Sequence, residues 1–305
     1  MYEILDSAIK YGLAFINKGN PASYIPELSK VDPHLLGISI LQSDGSILSS
    51  GDYDKKFTIQ SISKTVALML ALMDRGQDYV FDKVGMEPTG DAFNSIIKLE
   101  TIQPSRPLNP MINAGAIAID SLIAGNDINH KFNRLISFFR KICHNDTLWF
   151  NEQVYLSEKA TGFRNRALAN FIKGSGVLEG EVEEVLALYF MQCSIEIDCR
   201  DIAMLGAVLA MDGISPITGE SLIPKNISRI VKAFMVTCGM YDASGEFSIK
   251  VGIPAKSGVG GGIMAAVPGK MGIGVFGPAL DEKGNSIGGI KVLEFLSREL
   301  DLSIF

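Results

Sequence analysis

The feature that most constrains the fold is the wide separation of two β-prone stretches. "LLGISILQSDGSILSSGD" (35–52) reads as two extended runs around Ser43-Asp44-Gly45, a turn signature of the hairpin kind. The other stretch, "SIKVGIPAKSGVGGGIMAAVPGKMGIGVFGPALD" (248–281), breaks short apolar runs with Gly and Pro, and Pro268-Gly269 is a further turn signal. Neither stretch holds enough strands for a stable sheet of its own. They are therefore expected to pair across the residues between them. Those residues are mostly helical in pattern: "INAGAIAIDSLIAG", "INHKFNRLISFFRKICH", "GFRNRALANFIKG", "EGEVEEVLALYFMQC" and "CRDIAMLGAVLAMDG" carry apolar residues at helical spacing. A helix stopped by "KGNP" opens the chain, one more helix is expected near 225–237, and "GGIKVLEFLSREL" closes it. The expected class is α+β: one antiparallel sheet built from both chain ends and flanked by helices, with an all-helical domain inserted. In residue numbers, 1–62 and 215–305 form a discontinuous sheet domain and 63–214 the helical one, and the junctions near 60 and 215–260 make the natural cleft.

Composition narrows the partners. With 305 residues, 47% hydrophobic and 20% charged, the chain can bury a large core. A formal charge of −6, with Lys and Arg dispersed, gives no electrostatic footprint for nucleic acid or an anionic membrane, so a small molecule is the expected partner. The first residues carry Glu3 and Asp6 and lack the pattern of a secretory signal, and "VALMLALM" (66–73) is too short to span a bilayer. Cys143, Cys193, Cys199 and Cys238 are too few and too irregular for a disulfide framework, which points to free thiols in a reducing cytoplasm. His34, His130 and His144 are scattered, so neither a metal site nor a histidine-based triad is expected.

The chemistry concentrates in "FTIQSISKTVALML" (57–70), where Ser61 and Lys64 stand one helical turn apart and share a face. Serine is a poor nucleophile at neutral pH and needs an adjacent base. A lysine whose pKa is depressed by desolvation or by a helix N-terminus can serve, and the same first turn offers N–H groups for an oxyanion. Ser-x-x-Lys also occurs at Ser7–Lys10 and Ser95–Lys98, where solvated helix faces are the plain reading. Only the copy at 61 follows a β-prone segment and opens a strongly apolar helix. Lys256-Ser257-Gly258 supplies the Lys-[Ser/Thr]-Gly strand that serine acyl-transferases of the penicillin-recognising type pair with Ser-x-x-Lys. Gly260, Gly261 and Gly262 allow close backbone approach there. "GIGVFG" (272–277) matches a dinucleotide fingerprint only in letters, because Pro278 and "DEKGN" follow where a helix would have to begin.

The blocks "YIPEL" (24–28), "IQSISK" (59–64), "NPMINAGAI" (109–117), "FRNRA" (163–167), "YFMQCSIE" (189–196), "CGMYDASGEF" (238–247) and "PAKSGVGGGI" (254–263) occur in an order that resembles the serine-dependent glutaminases. Those are cytoplasmic amidohydrolases with the serine β-lactamase fold, which convert L-glutamine to L-glutamate and ammonia. The resemblance implies Ser61 as nucleophile, Lys64 as its base, Tyr241 as the residue assisting proton transfer to the leaving amine, and Tyr24 as a further active-site tyrosine. It implies substrate binding by Asn113, Glu158, Asn165, Tyr189, Tyr241 and Val259, with the N–H groups of Ser61 and Val259 as the oxyanion hole. Glu158 suits the ammonium of a free amino acid, and the neutral donors suit its carboxylate. No metal and no organic cofactor are implied, and the family associates as homodimers or homotetramers. Phe163 stands where the animal enzymes carry an aspartate, and the N-terminal extension and ankyrin repeats of those enzymes are not expected here. Two other classes fit parts of the pattern: a serine acyl-transferase of the β-lactamase or peptidase type, and a non-catalytic amino-acid-binding protein. The lack of a Ser-Asp-Asn element argues against the first, and the intact set of Ser61, Lys64 and Tyr241 against the second.

Overall fold

A computed structural model of the chain describes residues 2–101 and 105–305, apart from the side chain of Lys98, so the spacing Ser95–Lys98 falls partly outside the described residues. The helices are α1 (Tyr2–Leu13), α2 (Ser63–Arg75), α3 (Gln77–Lys83), α4 (Ile97–Thr101), α5 (Asn113–Leu122), α6 (Ile128–Cys143), α7 (Glu152–Thr161), α8 (Phe163–Gly174), α9 (Val182–Cys193), α10 (Cys199–Ala210), α11 (Lys225–Cys238), α12 (Ser244–Lys250) and α13 (Ile287–Leu300). The strands are β1 (Gly37–Gln42), β2 (Ile47–Gly51), β3 (Phe57–Thr58), β4 (Glu196–Ile197), β5 (Ala255–Ser257), β6 (Gly262–Val267) and β7 (Met271–Phe276).

The main sheet has the order β2-β1-β7-β6-β5, with every neighbouring pair antiparallel. The two β-prone stretches meet at its centre, where Gly37 faces Phe276 and Gln42 faces Met271. The fold class expected from the sequence is therefore the one observed. The strand period of two sorts the side chains between two cores. Ile38, Ile40, Ile263, Ala265, Ile273 and Val275 point to the side covered by α1 and α13, where they meet Leu5, Ala8, Val292, Leu293 and Leu296. Met264, Ala266 and Phe276 point the other way, into a larger core shared with the helical block.

Helix α10 lies flat on this second face, against β7, β6 and β1. Its close approach explains the glycines of "GIGVFG". A Cβ at Gly272 would fall inside the backbone of Ala203 and Ala207, and one at Gly274 would collide with the backbone of Cys199 and Ala203. The motif is a strand whose missing side chains let a helix sit on it.

Two local differences from the sequence reading stand out. Residues 248–250 end helix α12 instead of starting a strand, because Ser244 to Lys250 form a short helix following the turn at Tyr241–Ala243. Helix α7 buries only Val154 and Glu158, too little apolar surface to print a periodic pattern.

Valine in place of Gly272 would force α10 away from the sheet at the centre of the molecule. Gly272→Val is expected to destabilise the fold by about 3 kcal/mol, read as a lower midpoint in urea or thermal unfolding. An unchanged midpoint would contradict the packing described.

Candidate active site

The chain reaches the site through β3, which pairs with β4 so that Phe57 faces Ile197, while the Phe57 ring stacks on Phe276 at 4.1 Å. Gln60 then takes φ +48, a left-handed conformation costly for a residue with a side chain, and the backbone turns into a 3-10 turn over Gln60–Ile62 that runs straight into α2. Ser61 sits in that turn, 6% exposed, three residues before Lys64 in the first turn of the helix. A 3-10 turn eclipses residues three apart, so the two side chains share a side. The loop after β5 closes on this turn from opposite. A Cβ at Gly258 would lie 2.6 Å from the Ile59 carbonyl oxygen and 3.4 Å from the Ser61 nitrogen, so glycine is what allows the contact. The next residue, Val259, is buried, and among the described residues its N–H has no acceptor.

Lys64 is 1% exposed. Its Nζ donates to the Met111 carbonyl at 3.1 Å and to Asn113 Oδ1 at 2.7 Å, both neutral acceptors at the entrance to α5. That entrance is built by the block 109–115. Buried Asn109 accepts from the N–H groups of Met111 and Ile112 and donates to the Glu87 carbonyl, and Gly115 leaves room for the Asn109 carbonyl. Burial pulls the Lys64 amine down to about 8, opposed by Cys193, Asp120 and Glu158.

Tyr241 begins a 3-10 turn at φ +55. Its phenol donates to the Ser257 carbonyl at 3.2 Å and lies against the Ser61 hydroxyl; burial raises its pKa, and the Ser61 contact opposes the rise. The Lys256 Nζ, fully buried, sits 4.5 Å over the Tyr241 ring and donates to the carbonyls of Gly239 and Ser257. Burial and then the nearby Lys64 push the Lys256 amine well below its ordinary value. The hydrogen bonds of Lys64 thus run to the entrance of α5, while the Tyr241 phenol lies near the serine hydroxyl.

The opposite wall is polar and only partly satisfied. Glu158, on α7, is 6% exposed and its Oε2 has no hydrogen-bond partner among the described residues. Burial pushes its carboxyl up to about 8, against the pull of Gln60 and Lys64. Asn113 Nδ2 donates to Asn165 Oδ1 at 2.9 Å, which ties α8 to the lysine's own partner. Tyr189, on α9, is buried, and its phenol is held protonated by burial and by Cys193 and Glu158. Tyr24 leaves 54% of its surface exposed but turns its phenol inward, where burial and the neighbouring Tyr241 and Glu158 raise its pKa. It gets there because Pro26 starts a short 3-10 turn that packs on α7, the helix of Glu158. A recess of about 510 Å³ opens beside these groups, lined in part by Tyr24, Phe93, Val259 and Gly284. Among the described residues, no group of three His, Cys, Asp or Glu is placed to hold a metal ion.

The residues expected at the site therefore come to one region, and Lys256, expected there as part of the Lys-Ser-Gly strand, stands under Tyr241. Two others do so without having been given a part: Gln60 bends the chain and lies near Glu158, and Phe93 packs its ring 4.9 Å from that of Tyr241. Neither carries a sequence signal of its own.

Comparison with known proteins agrees with this geometry. A family model described as glutaminase matches residues 19–305. A glutaminase of Clostridium botulinum (strain Loch Maree / Type A3) is 59% identical over 305 residues, covering 100% of both chains. Among solved structures, a Bacillus glutaminase crystallised in the presence of 4.3 M NaCl is 44% identical with a TM-score of 0.93, covering 100% of this chain and 99% of that one. A Bacillus subtilis glutaminase in covalent complex with 5-oxo-L-norleucine, formed by reaction with 6-diazo-5-oxo-L-norleucine, is 42% identical with a TM-score of 0.90, again covering 100% and 99%. With a fold of the serine β-lactamase type and this likeness along its whole length, the chain belongs to the glutaminase family.

Proposed function

We propose that this protein hydrolyses L-glutamine to L-glutamate and ammonia through a glutamyl ester on Ser61. The observation that carries the reading is the bare, buried Oε2 of Glu158, a carboxyl close to Lys64 and to Gln60, the residue before Ser61. A buried carboxylate oxygen without a partner is costly unless a cation arrives to take it, and the α-ammonium of an amino acid is such a cation. Asn113, Asn165 and Tyr189 then receive the α-carboxylate, which leaves the side-chain amide directed at Ser61. The covalent complex that a Bacillus subtilis relative forms with 5-oxo-L-norleucine, an amino acid of glutamine's chain length, supports a covalent intermediate on an amino-acid substrate.

The Lys64 amine accepts the Ser61 proton as the hydroxyl oxygen attacks the δ-carbonyl, and the N–H groups of Ser61 and Val259 stabilise the resulting oxyanion. Collapse of the tetrahedral adduct breaks the C–N bond, with the Tyr241 phenol delivering a proton so that ammonia leaves, and Lys64 restoring the phenol's proton. Water adds to the ester by the reverse proton path, releasing glutamate and regenerating Ser61. No step calls for a metal or an organic cofactor. The reading keeps the division into a sheet domain (1–62 with 215–305) and a helical domain (63–214), with the pocket at their border. The four cysteines, all buried and free, support a reducing, cytoplasmic setting. Exposed Leu156 and Phe163 on α7 and α8 support self-association as a homodimer or homotetramer.

Ser61→Ala is expected to lower glutamine turnover at least about 10³-fold and to abolish covalent labelling by 6-diazo-5-oxo-L-norleucine, measured by ammonia release and by intact mass. Labelling that survives would exclude Ser61. Glu158→Ala is expected to raise KM roughly 10²-fold with a smaller effect on kcat, whereas Lys64→Ala lowers kcat far more than it raises KM; equal KM in the Glu158 variant would remove the ammonium partner. The pH dependence has a definite sign. Lys64 must be a free amine and Glu158 a carboxylate in the free enzyme, so kcat/KM climbs as pH rises through about 8, where both groups lose their protons. A profile that falls across that range would contradict both roles.

A further inference from the structure

Along α5, within the electrostatic reach of Lys64, the protein encloses a carboxyl group that the reaction does not use. Asp120 is fully buried on α5, and neither of its side-chain oxygens has a hydrogen-bond partner among the described residues. It stands seven residues after Asn113, two helical turns on, and therefore on the side of α5 that also carries the lysine's hydrogen-bond partner. Helices α2 and α9 pack against α5, and α9 brings Gln192 up to the acid. Gln192 is also fully buried, and both of its amide atoms are likewise without a partner. An ionised carboxylate left so bare would be strongly disfavoured, whereas a protonated one has an O–H that it can donate to the amide oxygen of Gln192.

The charged groups facing Asp120 are few. They are Lys64 from α2 and Lys131 from α6, whose Nζ donates to the Ser121 carbonyl at 3.0 Å. Cys193 and Tyr189, on α9, also lie near Asp120, and burial holds both protonated. Burial moves the Asp120 carboxyl far up, and neither lysine reverses that.

The geometry points to Asp120 and Gln192 as a neutral acid–amide pair in the core between α5 and α9 that, by carrying no charge, lets Lys64 reach its free-amine form. The inference rests on the reading of Lys64 as base and deepens it. Asp120 and Gln192 touch neither substrate nor the reacting atoms, so they are positioning residues acting through the lysine. An anion at this place would hold Lys64 as an ammonium, unable to take the Ser61 proton, over the pH range in which the enzyme is read to work.

The experiment is done on the full-length protein. Infrared difference spectra between wild type and Asp120→Asn, taken at neutral pH without substrate, are expected to contain the carbonyl stretch of a protonated carboxylic acid that belongs to the wild type. Because this readout needs no turnover, it stands whether or not Lys64 proves to be the base. In the pH profile of kcat/KM, Asp120→Asn is expected to leave the acid limb where it is, since no charge is removed. Gln192→Leu, which removes the acceptor of the acid O–H, is expected to shift the acid's carbonyl stretch while leaving the acid limb in place. A carboxylate band in place of the acid band, or an acid limb in Asp120→Asn displaced downward by about one unit or more, would overturn the neutral acid. An unshifted acid band in a folded Gln192→Leu protein would overturn the acid's pairing with Gln192, while the labelling test of Ser61 remains unaffected.

Discussion

The site depends on keeping the Lys64 nitrogen dry without giving it a counter-charge. Removing an ammonium from water carries an effective penalty of several kcal/mol, and among the described residues only the Met111 carbonyl and the Asn113 side chain answer it at hydrogen-bond distance. Both can also accept from a neutral amine. The cationic form is therefore the disfavoured one, and a group that would be an ammonium in solution becomes a base near neutral pH. Much of the neighbouring architecture follows from this need. Asn109 shapes the loop that presents the Met111 carbonyl, Gly115 makes room for it, and α5 packs on α2 so that the two acceptors stay in place. Were a carboxylate set at hydrogen-bond distance instead, the same burial would lock the proton onto the lysine.

The same burial acts in the opposite sense on the phenol beside the serine. Tyr241 and Lys64 start from similar ordinary values, 10.0 and 10.5, and desolvation raises the first while lowering the second. One dry pocket thus separates an acid from a base without histidine, and each stays in the form that amide cleavage requires of it. Lys256 shares the dry region. It stands over the Tyr241 ring, donates to main-chain carbonyls, and is pushed well below its ordinary value by burial and then by Lys64. Two buried lysines in one pocket would be a fault in a structural core, but they are consistent with a catalyst that needs a free amine.

Elements whose apolar residues repeat strongly were legible in the sequence: the five helices between 112 and 213 lie where their periodicity puts them, as does the hairpin around Gly45. The pairing of the chain ends was legible too, by counting strands. Helix α7 was not, because its buried side carries a carboxylate in place of an apolar stripe. For the same reason Glu158 carries no local signal: what distinguishes it is the absence of a partner, a property of the assembled pocket. Asn113 reads locally as a helix cap, yet its amide joins Lys64 to Asn165 across two helices. Gln60 is still less legible, since nothing in "TIQSIS" announces a left-handed glutamine. Such residues were reached only through their resemblance to a family or through the coordinates.

The order in which the chain must come together also bears on its reactivity. Ser61 and Lys64 are three residues apart and can share a turn as soon as α2 forms, but that turn alone leaves the lysine in water, as a cation. Its desolvation needs α5 and α9, and the glycines that close against Ser61 come from the loop between β5 and β6. Those strands are fixed only when β7 pairs with β1, joining Gly37 to Phe276 across most of the chain. Contacts of such separation carry a loop-closure cost that the local turn does not. The serine therefore has a dry lysine beside it only in the assembled molecule, where the sheet has closed around it.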